Sequence, residues 1–125
     1  MRNVQDWNPN FMDLSPMFGS FEYLKKHVEN MQFWPEHIDL NCMNIQKRQI
    51  ATRSGKQICF VSPVARKQCF EQEYESKIYL TGQVQTRTKS WHDFFNALVW
   101  QIFPRAKAVL NQLHYQARLS ESLNG

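Results

Sequence analysis

The chain has 125 residues, a formal net charge of +4, 42% hydrophobic residues and 14% aromatic residues. That is enough apolar material for one modest core, and it excludes an intrinsically disordered chain. No apolar run reaches the roughly 18 residues that cross a bilayer, and the first residues lack the apolar centre of a secretion signal. A cytoplasmic location is expected, with no membrane partner.

Charge is unevenly spread. Residues 1–39 hold six acids and three bases, whereas residues 40–125 hold five acids and twelve bases. No acid falls between Leu40 and Phe70, where Lys47, Arg48, Arg53, Lys56, Arg66 and Lys67 lie. Such a face attracts nucleic acid or another anionic partner, although a solvated basic surface is the ordinary reading. No zinc finger, arginine-lysine run or aromatic RNA-binding signature sharpens it. The three cysteines, Cys42, Cys59 and Cys69, form no CxxC pair and are odd in number, which argues against a disulfide scaffold. Apolar neighbours such as Ile58, Phe60 and Val61 make them read as small buried hydrophobes. No His/Cys spacing suits a metal, so none is assigned, and no cofactor is identified.

Residues 1–16, with Pro9, Pro16 and several asparagines, read as an irregular arm pinned to the core by Trp7 and Phe11. Ser20 suits the N-cap of a helix running to about Met31, with Phe21, Leu24, Val28 and Met31 on one stripe. Pro35 ends it, because the residue before a proline resists helical geometry. A short helix from about Glu36 to Gln46 follows, carrying Ile38 and Leu40. Two runs rich in β-formers then flank Ser54-Gly55, which predicts a hairpin with the glycine at positive φ. From about Ala65 to Thr81, Phe70, Tyr74 and Ile78 recur every four residues, and Gly82 stands where a helix C-cap belongs. Residues 83–89 read as a polar loop carrying Arg87 and Lys89.

The C-terminal segment carries the plainest signals. Ser90 and Asp93 have capping-box spacing. Pro104 lacks a donor for the preceding turn, so it kinks the helix or opens a second one at its first position. From there to about Leu119, Ala106, Val109, Leu110 and Leu113 form an apolar stripe. The expected fold class is mainly α (α+β). Residues 1–125 would make one small helical domain with one short β-hairpin and a proline-broken C-terminal helix pair.

Polar groups threaded through this apolar segment mark the candidate site. His92 and Asn96 are four residues apart, hence one turn apart on one face. Lys107 and Asn111 repeat that spacing, with His114 three residues further on. If the two helices meet at an angle, His92, Asn96, Lys107 and Asn111 converge. The catalytic candidates are His92, Asp93 and Asn96, since a histidine works as a general base when a carboxylate or amide orients it. The ligand-binding candidates are Arg87, Lys107, Asn111 and His114, the cations being suited to a phosphate or carboxylate. Against this stands a purely structural role, in which buried asparagines bond loop backbone and a first-turn His-Asp pair caps. His27 and His37 read as surface residues near helix ends. The adjacent His92-Asp93 also resembles the metal-dependent phosphohydrolases with a His-Asp dyad. Those enzymes also need an earlier histidine, a place open to His27 or His37, and a later aspartate; none follows Asp93, so the dyad stands only as a minor alternative.

Several stretches together resemble a bacterial family, domain of unknown function 3025, over roughly residues 50–114. They are Gly55 through Val61, Tyr74-Glu75 with Ile78 and Gly82, Thr86-Arg87, Trp91 through Trp100, Phe103-Pro104-Arg105, Lys107 and Asn111. The resemblance implies that Arg87, His92, Asp93, Asn96, Lys107 and Asn111 occupy family signature positions, and it carries no activity. It also implies relatives that continue past the point matching His114, so the chain reads as a truncated part of a longer domain or as a short member. The expected function is a non-catalytic binding or scaffold domain whose signature residues organise the fold. One alternative is an enzyme or anion-binding pocket, hydrolase-like, built on His92, Asn96, Lys107 and Asn111 with Arg87. Another is nucleic-acid binding through the basic 47–67 stretch.

Overall fold

The computed structural model describes residues 6–14, 25, 28–43, 49–63 and 70–124. Most of the helix expected from Ser20 lies outside them, as do His27, Lys47, Arg48, Arg66, Lys67 and Cys69. A 3-10 turn at Phe11–Leu14 precedes six regular elements among the described residues. These are α1 (His37–Cys42), β1 (Cys59–Val61), α2 (Phe70–Thr81), β2 (Gln83–Gln85), α3 (Trp91–Ile102) and α4 (Pro104–Asn124). The protein is mainly helical with a small β element.

The hairpin expected around Ser54-Gly55 is reduced to its turn. Gly55 does take positive φ, +88°, and Ala51 and Gln57 form one antiparallel bridge. The strand beyond it pairs elsewhere: β1 runs parallel to β2, aligning Phe60 with Val84. Both are buried, and a parallel pair needs a crossover, here the segment containing α2. Gln83-Val84-Gln85 reads as a polar loop because only its middle residue is apolar, yet the sheet buries that residue and Gln85 after it. The outer edge of β1 is closed by Asn41, whose amide imitates a strand. Its Nδ2 donates to the Phe60 carbonyl at 2.9 Å, and its Oδ1 accepts from the Phe60 N–H at 2.8 Å.

Two cysteines depart from expectation. Cys59 precedes the inward Phe60, and side chains alternate along a strand, so it faces out. Cys42, two residues beyond the buried Leu40 on α1, also lies on the outer side. Both are exposed free thiols.

At the end of α2, Gly82 has φ +82° and donates its N–H to the Ile78 carbonyl at 2.7 Å, the expected C-cap. The position has a second constraint, since a Cβ there would fall onto the Gln57 carbonyl oxygen. Ser90 caps α3, accepting from the Asp93 N–H at 3.2 Å, and Phe94, Ala97, Leu98 and Trp100 face the core. The N-terminal arm is pinned as expected. Trp7 stacks on Trp91 with centroids 5.3 Å apart, donates from Nε1 to the Met31 carbonyl at 2.8 Å, and leaves Phe11 buried.

Pro104 opens α4 at its first position, and the helix runs on to Asn124. Its apolar stripe is turned outward, against expectation: Leu110 and Leu113 are 52% and 55% exposed, and Ala106 and Val109 are also exposed. The inward face carries Ala108 and Asn111 instead, with Tyr115 stacked on Tyr79 of α2 at 4.3 Å. A small residue and a hydrogen-bonding one let the helices approach closely, which bulky leucines would prevent.

Candidate functional site

The loop after β2 delivers Arg87 to the first turn of α3. Its guanidinium donates from Nε to Asp93 Oδ2 at 2.8 Å and from Nη2 to Oδ1 at 3.1 Å, a bidentate pair. The Arg87 backbone N–H adds a third bond to Oδ2 at 2.9 Å. His92 Nδ1 lies 3.0 Å from Asp93 Oδ1. An ionised carboxylate only accepts, so Nδ1 carries the proton and donates, while the ring itself is 86% exposed. Burial pushes the Asp93 carboxyl up. The bonds from Arg87 and His92, with the Arg87 charge, outweigh that and hold it at about 2.

One turn further along α3, Asn96 donates from Nδ2 to the Tyr74 hydroxyl at 3.0 Å. Burial, then the charges of Glu75 and Asp93, raise the Tyr74 phenol well above its ordinary range, so it is a neutral hydroxyl at any working pH. On α4, Asn111 is 1% exposed and reaches the neighbouring residue of α2. Its Nδ2 donates to the Glu75 carbonyl at 2.9 Å and to Glu75 Oε1 at 2.7 Å. Two acceptors fix the amide orientation. Asn111 Oδ1, like Trp100 Nε1, is buried without a bond among the described residues. The Lys107 ammonium lies 5.9 Å from the Trp100 ring centroid. Burial lowers its pKa, and the Glu75 charge opposes the shift.

The seven candidates are therefore partly gathered. Arg87, His92 and Asp93 form one cluster, and Asn96 and Asn111 attach to consecutive residues of α2. His92, Asn96, Lys107 and Asn111 do not bond one another among the described residues, and His114 is exposed and apart from the network. The residues that sequence reasoning left out of the site are Tyr74 and Glu75, which link the two asparagines. Tyr74 had a readable signal: it stands on the inward stripe of α2, where a hydroxyl must find a partner. His37, read as a surface residue, is partly buried, and its Nε2 donates to the Thr86 carbonyl at 2.6 Å.

Chemically the junction is a set of struts joining α2, α3 and α4, with one exposed imidazole at its rim. Among the described residues no group of three His, Cys, Asp or Glu could hold a metal ion. Three surface clefts are lined by other residues, one of them at the start of α4, where Arg53 and Arg105 lie. No helix among the described residues is long and apolar enough to cross a membrane.

Comparison with curated proteins and with solved structures returns no match. A family model does match, over residues 58–123, which takes in β1, α2, β2, α3 and nearly all of α4; it starts later and ends further on than the resemblance read from the residues. With a little over half of its length matched, the chain belongs to that family, DUF3025, described as protein of unknown function.

Proposed function

We propose that the chain is a single, non-catalytic binding or scaffold domain whose signature polar residues organise the junction of α2, α3 and α4. One observation carries the reading: Asp93, Asn96 and Asn111 each direct their hydrogen bonds to protein groups in another segment. A catalytic or ligand-holding side chain keeps bonding capacity for its substrate, whereas the Asp93 carboxylate and the amide nitrogens of Asn96 and Asn111 are engaged within the fold. The exposed free thiols of Cys42 and Cys59 suit a reducing compartment, which supports reading the domain as cytoplasmic. Thermal unfolding of Asp93→Ala, Asn96→Ala and Asn111→Ala tests the reading. Each should lose about 1 kcal/mol, because a hydrogen bond between segments is lost. Unchanged or raised melting temperatures in all three would overturn it, since groups kept for function are commonly kept at a cost to stability.

A second, hydrolase-like reading is favoured by one feature. The exposed His92 imidazole is oriented through Nδ1 by a carboxylate that Arg87 fixes in turn, the arrangement of a base and its orienting group. Turnover of a p-nitrophenyl ester or phosphate that His92→Ala abolishes would establish it. A rate indistinguishable between wild type and His92→Ala would remove it.

A further inference from the structure

We infer that the cleft between the 49–57 turn and the start of α4 binds a small oxyanion, a phosphate or carboxylate carried on a compact apolar body. The inference names a ligand class for the binding domain proposed above and rests on that reading.

The cleft measures ≈ 390 Å³ and is lined by Gln49, Ala51, Arg53, Pro104, Arg105, Ala108 and Val109. That size falls in the range of small-molecule sites, roughly 300–1,000 Å³. Among the described residues its two charged ones are both arginines, and they come from separate segments. Arg87 and Arg118 are each paired with an acid, whereas Arg53 and Arg105 have no acidic partner among the described residues. Two like charges facing one cleft repel, and a bound anion removes that repulsion. The planar guanidinium fork also matches the oxygens of a carboxylate or phosphate. No Asp or Glu among the described residues lines the cleft to compete, and Gln49 adds a neutral donor to its lining. The remaining wall is Ala51, Pro104, Ala108 and Val109, which is why the ligand should carry an apolar body and not be a bare ion. A nucleic-acid backbone fits less well. It needs cations spaced along an open face, and the nearby Lys56 does not line this cleft.

The test is an NMR titration of the ¹⁵N-labelled full chain with phenyl phosphate, with benzoate and, as an uncharged control, with benzyl alcohol. Saturable amide shifts confined to residues 49–54 and 104–109 are expected with one or both anions and not with the alcohol. The stronger anion tells phosphate from carboxylate. The double variant R53Q/R105Q, whose exposed side chains leave folding intact by its melting temperature, should weaken binding about tenfold or more. Absence of saturable shifts, an equal response to the alcohol, or unchanged binding by the double variant would overturn the inference and leave the fold-organising reading standing. Shifts centred on His92 to Asn96 would overturn both. A single-stranded oligonucleotide that binds tighter than either anion, with shifts spreading beyond the cleft, would assign the arginines to nucleic acid instead.

Discussion

Four donor atoms from Arg87 and His92 meet the two carboxylate oxygens of Asp93, and its own backbone N–H is taken by Ser90. The carboxyl therefore ionises at about 2 in the folded chain, against roughly 3.9 when unfolded. The folded state takes up this proton less readily, so Asp93 contributes stability above about pH 4 that is lost as the pH falls towards 2. Acid unfolding of the wild type should steepen in that window, and Asp93→Asn should flatten the profile there. Identical acid limbs would show that Asp93 is not the group responsible. His92, by contrast, stands 86% exposed, and His92→Ala should shift stability by less than about 0.5 kcal/mol. At this scale the chain was readable where a residue announces its own need. Asp93 three residues after Ser90, and asparagines inside an apolar helix, mark themselves. Their partners Tyr74 and Glu75 did not, because spacing along one helix says nothing about which residue of another helix it meets.

The elements show the same limit from the other side. Helix ends set by Ser90, Pro104 and Gly82 fell where their chemistry puts them, because caps act within one turn of chain. Pairing partners and inward faces depend on distant segments, so the β1–β2 ladder and the outward leucines of α4 were not legible. Gly82 lies where the two kinds of constraint meet: it ends α2, and its missing Cβ leaves room for the Gln57 carbonyl. Gly82→Ala should cost about 3 kcal/mol, combining left-handed strain with a clash against backbone. Gly55→Ala, at φ +88° but with open space around the new methyl, should cost only about 1 kcal/mol. Equal losses in the two variants, measured by denaturant unfolding, would mean that the close approach of Gln57 to Gly82 does not constrain the fold.

Across the whole molecule, an aromatic cluster ties the N-terminal arm to α3, and the polar network ties α3 and α4 to α2. The bonds of Asn96 to Tyr74 and of Asn111 to Glu75 are what join the two C-terminal helices to α2. A double-mutant cycle on the bond between α2 and α3 tests this most directly, with unfolding measured for wild type, Tyr74→Phe, Asn96→Ala and the pair. The cycle removes whatever else either side chain contributes. The account predicts destabilised single variants and a coupling of about 1 kcal/mol between them. Strictly additive effects, with Asn96→Ala as stable as the wild type, would contradict it.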